Sequence, residues 1–149
     1  MIQRIQSLFW LIAAVLTGIT LFAPVAWFGT EGEMTTLYAF AMEGADGTSE
    51  QMPVWTGILL TICTLLPAVT IFLFKNRMLQ VRLSIVEVVL LIGSLIMLGY
   101  TYIRLAGASA DAGLKPAIAL PLVALVFVLL AARATFKDEV LVRSLDRIR

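Results

Sequence analysis

Glu87 is the one acidic residue inside any long apolar stretch of this chain. A carboxyl group placed there is able to take and release a proton, as coupling carboxylates in small transporters do. Its position also offers a simpler fate. It follows Arg82 by five residues, close to a cluster of Lys75, Arg77 and Arg82, so water or that cluster is expected to satisfy it. No second carboxylate faces it from another span. The remaining residue types are poor in chemistry. There is no histidine, which removes the commonest metal ligand and the usual acid–base group near neutral pH. The single cysteine, Cys63, cannot form an internal disulfide and is expected to pack as a small hydrophobe. Quinone-linked disulfide chemistry needs paired cysteines, intramembrane proteolysis needs paired aspartates or a serine with a base, and lipid-phosphate transfer needs histidine or clustered acids. None of these sets falls on facing apolar stretches, so no catalytic residue, metal site or cofactor is expected.

A second group of residues suits helix packing. Gly57, Thr61, Thr64 and Ala68 recur at intervals of four, three and four, which is one face of a helix, and Ala14 and Gly18 form a small-xxx-small pair. Small residues let helices approach closely in lipid. A polar path lined by the threonines is the sharper alternative. Pro67, deep in the same stretch, is expected to bend it.

The elements that must position these residues are spans. The chain has 149 residues, 60% apolar and 14% charged, against roughly half and a quarter in soluble domains. A helix needs about 20 residues to cross a bilayer. Four stretches qualify, at about 7–28, 54–74, 83–105 and 116–136, with 137–149 as a tail. The first, which follows Arg4, is longer than the apolar core of a signal peptide and lacks a small-x-small cleavage pattern, so it is read as a retained span.

Orientation follows from the lysines and arginines. Arg4, Lys75, Arg77, Arg82, Arg133, Lys137, Arg143, Arg147 and Arg149 fall on one side, and Arg104 and Lys115 on the other. Short cytoplasmic loops carry the positive excess, which puts both termini and the turn from Lys75 to Arg82 in the cytoplasm. Glu31, Glu33, Glu43, Asp46 and Glu50 crowd the first external loop. Trp27, Trp55, Tyr100 and Tyr102 face the same side as an aromatic belt.

The expected fold is therefore an all-α membrane protein, four transmembrane helices in an up-down-up-down bundle. The first external loop contains strand formers from Met34 to Met42 followed by a turn-like Glu-Gly-Ala-Asp-Gly, a pattern that fits a short β-hairpin. The second, Ala106 to Lys115, reads as a tight link. The tail places Leu141, Leu145 and Ile148 on one face, with Glu139 and Arg143 at i,i+4, as an amphipathic helix would. Such a helix suits anionic lipid or a protein partner, and Lys75, Arg77, Arg82, Arg143, Asp146 and Arg147 are the residues expected to make that contact.

The opening Met1-Ile-Gln-Arg-Ile-Gln, the stretch Phe72-Leu-Phe-Lys-Asn-Arg-Met-Leu-Gln-Val-Arg-Leu83 and the tail from Lys137 to Arg149 resemble a family of small four-span membrane proteins of the Bacteroidota, domain of unknown function family 4293. The resemblance covers essentially the whole chain and implies an inner-membrane protein without an assigned activity. All three stretches fall on the cytoplasmic side, which favours an interaction at that face. A net charge of +1 gives no sign of a nucleic-acid partner, and no phosphate-cradling glycine-rich loop with Lys and Ser or Thr is present. Two functions follow as expectations. The first is a non-catalytic accessory or scaffold subunit that meets a membrane or cytoplasmic protein. The alternative is a small homo-oligomeric transporter or channel using Glu87.

Overall fold

A computed structural model describes residues 2–30, 33–44, 49–51, 54–73 and 76–146. Four long helices dominate it: α1 (Ile2–Phe22), α2 (Val54–Phe72), α3 (Arg77–Ala106) and α4 (Leu120–Asp146). Each contains a window long and apolar enough to cross a membrane, and the chain is a multi-pass membrane protein. α1 packs against α2 and α4, and α3 packs against the same two helices.

The outward faces are apolar. On α1, Ile5, Leu8, Leu11, Val15, Ile19 and Phe22 form an exposed stripe at intervals of three and four. Comparable stripes run along the other three helices. Exposed apolar surface on this scale would aggregate in water and is at home in hydrocarbon. The inward faces carry small residues where helices meet. Trp10 and Ala13 of α1, Cys63 of α2, Leu91 of α3, and Ala124, Val128 and Ala131 of α4 make one buried cluster. Lipid supplies no hydrophobic drive between helices, so close packing of such residues has to hold them.

The chain is not all-α. Five strands, β1 (Ala26–Thr30), β2 (Glu33–Leu37), β3 (Ala41–Glu43), β4 (Ser49–Gln51) and β5 (Asp111–Leu114), form an antiparallel sheet in the order β4-β3-β2-β1-β5. The hairpin expected between Met34 and Met42 is part of a larger meander. The expected tight link after Ala106 contributes its other edge. The first helix is also shorter than expected, because it stops at Phe22. Pro24 lacks an N–H and disfavours helix in the residue before it, and the last helical carbonyl bond reaches only Ala23, whose N–H donates to Ile19 O at 2.9 Å. Trp27 and Phe28, assigned to the span by composition, are therefore in a strand.

β1 is central. Ala26 pairs with Leu37 on one side and with Leu114 on the other, and the Val25 and Lys115 backbones extend the ladders, Val25 N–H to Leu37 O at 2.8 Å and Lys115 N–H to Val25 O at 2.9 Å. Alternation along β1 turns Ala26 and Phe28 inward, where with Leu37 they are buried against Tyr102 and Leu105 of α3. Phe28 and Tyr102 are 5.8 Å apart between ring centroids. Because β1 follows α1 and β5 precedes α4, the sheet gathers the C-terminal ends of α1 and α3 with the N-terminal ends of α2 and α4. A Pro-initiated 3-10 turn, Pro116–Ala119, leads from β5 into α4.

Two glycines hold this cap together by being small. Gly113 pairs with Trp27 across β1 and β5, and a Cβ there would overlap the Trp27 indole. Gly57, at the start of α2, lies under the Phe40 ring in the same way. Gly113→Ala is therefore expected to lower stability by about 1–3 kcal/mol, the usual cost of overpacking. In a Trp27→Ala background the same change should cost much less. Gly93→Ala, inside α3 where a Cβ meets nothing within 4 Å, is the control expected to raise stability by about 0.5–1 kcal/mol, and thermal melts of the purified protein in detergent measure all of them.

Candidate functional site

The polar residues of α3 occur with helical period on its inner face. Gln80, Ser84, Glu87, Ser94 and Thr101 are all buried, at intervals of three, four and seven. α1 contributes Gln6, Thr17 and Thr20, α2 contributes Thr56 and Thr70, and α4 contributes Thr135. Most of these are satisfied locally. Thr17 Oγ1 donates to Ala13 O at 2.9 Å, Thr20 Oγ1 to Leu16 O at 2.9 Å, Thr70 Oγ1 to Leu66 O at 2.8 Å and Thr135 Oγ1 to Ala131 O at 2.9 Å. Ser84 and Ser94 bond back onto α3. A hydroxyl turned to the carbonyl three or four residues earlier is the standard way to bury it in a helix. Gln80 instead crosses to α2, its Nε2 donating to Thr70 O at 3.0 Å, which pins the α2–α3 turn.

Glu87 is the exception. It is 0% exposed, and neither Oε1 nor Oε2 has a hydrogen-bond partner among the described residues. Among the described residues neither solvent nor a basic side chain satisfies it. Arg82 is exposed, pointing away from the interior that encloses Glu87. Lys75 lies outside the described residues, as does the side chain of Arg77. The reason is helical period. Glu87 follows Gln80 and Ser84 by seven and three residues, which sets it on the inner face, whereas Arg82 lies off that face. Distance from the end of the span alone did not reveal this.

Two donors share its condition. Gln6 Nε2 and Trp10 Nε1, one turn apart on α1, are buried without a partner among the described residues. The sequence carried a signal for them, since an amide and an indole four residues apart lie on one helix face. It was obscured because Gln6 reads as part of the polar flank of the span. Cys63 of α2 is free and buried, in the cluster that also holds Trp10 and Leu91.

The predicted packing face of α2 flanks the most buried stripe. Gly57 is buried, while Thr61, Thr64 and Ala68 are half-buried, and Leu60, Cys63 and Pro67 occupy the centre. Thr61 Oγ1 donates to Gly57 O at 2.8 Å and Thr64 Oγ1 to Leu60 O at 2.9 Å, so both hydroxyls are turned onto their own helix instead of lining a path. Gly18 faces Thr64, where an added Cβ would make ordinary contact at 3.5 Å from its Cγ2. Ala14 is half-buried on the same helix. Of the residues expected to meet a partner, those described lie at the helix ends away from the sheet. Arg82 is on the first turns of α3, and Arg143 and Asp146 close α4, their side chains undescribed. Arg147 lies outside the described residues.

The family profile described as Domain of unknown function (DUF4293) matches residues 2–148. No curated protein matches the chain.

A carboxyl that is buried without a partner weakens the fold by the lost solvation of its oxygens. Glu87→Leu, which removes both acceptors at similar volume, is expected to raise stability by about 1–3 kcal/mol. Glu87→Gln leaves an unpartnered amide and should gain much less. Detergent melts of the two variants against the parent give the comparison.

Proposed function

The chain belongs to the DUF4293 family, and we propose that it is a non-catalytic protein of the bacterial inner membrane, an accessory or scaffold subunit that meets a partner at its cytoplasmic face. In this reading the helices run up-down-up-down with both termini in the cytoplasm. The nine lysines and arginines on that side, against two on the other, support it through the positive-inside rule.

The observation that carries the reading is the length of α4. Among its described side chains Thr135 is the last fully buried one, yet the helix continues without a break to Asp146, about 16 Å further at 1.5 Å per residue. Along that extension Phe136, Val140, Leu141 and Val142 are exposed, next to Lys137, Asp138 and Glu139. These residues lie at the end of the apolar window of α4, which runs to Val142; uncovered by the bundle, they support docking of another helix there, with anionic lipid headgroups beside its basic residues. The same face supports a homo-oligomer, the partner then being a second copy.

A second reading, a small homo-oligomeric transporter or channel, is favoured by the burial of Glu87. The inward threonines of α2 do not add to it, since their hydroxyls are bonded within the helix.

Protein purified in mild detergent from native membranes should carry a co-purifying subunit that is lost when residues after Phe136 are deleted, with the bundle's melt little changed. A lone species indifferent to that deletion opposes the reading. Sidedness is tested in a Cys63→Ala background. Ser144→Cys should react with membrane-impermeant maleimide only in inverted vesicles, and Ser109→Cys only in intact cells.

A further inference from the structure

Three buried polar side chains remain unexplained by an interaction at the cytoplasmic face. Glu87 of α3 is 0% exposed, Trp10 of α1 is 1% exposed and Gln6 of α1 is 6% exposed. Four of their polar atoms, Glu87 Oε1 and Oε2, Trp10 Nε1 and Gln6 Nε2, have no hydrogen-bond partner among the described residues. Their depths correspond. Leu21 of α1 and Leu98 of α3 pack in one apolar layer near the sheet, and both helices run toward that layer. Trp10 and Glu87 each precede those leucines by eleven residues, about 16 Å along the helix. Gln6 is one turn further on the Trp10 face.

The chemistry of the three is complementary. An ionised carboxylate only accepts hydrogen bonds, and an indole N–H and an amide NH2 only donate them. We propose that Glu87 is a proton-binding site in the bundle interior, whose carboxyl gains and loses a proton there, with Trp10 and Gln6 supplying N–H donors to the ionised form. In the arrangement described the carboxyl carries its proton, because an ionised group enclosed without a partner is strongly disfavoured. On release the O–H bond breaks, its electron pair stays on the carboxylate, and water takes the proton. The anion then attracts the two α1 donors, so protonation of α3 is coupled to side-chain position on α1.

Among the described residues the surroundings contain little else that titrates. α2 turns the Cys63 thiol inward, into the buried cluster with Trp10 and Leu91. α4 turns Val128, Ala131 and Thr135 inward, all uncharged, with Arg133 exposed. On α3 itself the nearest described charge, Arg82, is exposed. The site is independent of the docking face on α4 and stands whether or not a partner binds there.

Infrared spectra of the protein in liposomes, taken from acid to alkaline pH, test the proposal directly. The parent should show at neutral pH a protonated-carboxyl C=O band that Glu87→Gln lacks and Glu87→Asp restores in shifted form. The band should fade on alkalinisation while the amide bands stay constant. Labelling of Glu87 by dicyclohexylcarbodiimide, which attacks protonated carboxyls in apolar surroundings, should fade with it. Replacing both donors, Gln6→Leu with Trp10→Phe, should move the fading to higher pH by about one unit, a tenfold change in proton concentration, since the anion loses its support. An ionised Glu87 at neutral pH, a band indifferent to pH across the folded range, or a double variant titrating like the parent would overturn it. The parent spectrum decides the first two even if a variant fails to fold.

Discussion

A peptide group in hydrocarbon finds no water to bond, and the cost of leaving it unpaired is several kcal/mol per group. That constraint organises this molecule. Through the apolar windows of α1, α2, α3 and α4 the backbone closes its own bonds as helix. Where Pro24 interrupts α1, the chain cannot stay in lipid as an unpaired segment. It turns at once into β1, whose edges are both occupied, by β2 and by β5. Pairing β1 with β5 ties the connection after α1 to the connection after α3, so the sheet clamps one end of all four helices.

Side chains meet the same constraint by a different route. Inward hydroxyls on every helix bond back to carbonyls one turn earlier, which leaves the spaces between helices to small and aliphatic residues. Gln80 is the side chain that bridges two helices at the end away from the sheet, through the Thr70 carbonyl. Against this background of satisfied groups, the four unpartnered atoms of Glu87, Trp10 and Gln6 are a concentrated expense in stability. Buried polar groups retained at such cost are characteristic of sites that do something with a proton or a polar ligand.

The two ends of the molecule differ accordingly. One is closed by paired strands, with Trp27 stacked over Gly113 and Phe40 over Gly57. At the other, the described residues end in helix: the start of α1, the helices flanking the α2–α3 connection and the far end of α4. A face of uncovered helix suits assembly with another protein in a way that a closed sheet does not, and the buried acid lies on the half of the bundle that leads to it.

Length and hydropathy were enough to find four membrane-crossing helices, because a bilayer demands about 20 apolar residues per crossing whatever the helices pack against. Charge distribution was legible for the same reason, being a property of loops and not of contacts. The sheet was legible only as a fragment near Met34–Met42. β5 has the composition of a flexible link, Asp-Ala-Gly-Leu, and becomes a strand only because β1 lies beside it with unpaired groups to offer. Glu87 was visible at once as an acid in an apolar span, but its burial was not. Its place on α3 was set by helical period and its surroundings by three other helices. Gln6 and Trp10 share its depth only through tertiary packing, since their helix and α3 are held in register by the layer of Leu21 and Leu98. Sequence by itself determined the membrane-spanning helices, because the solvent imposes them residue by residue. The sheet and the buried polar site were decided by tertiary structure, because each depends on partners that distant segments supply.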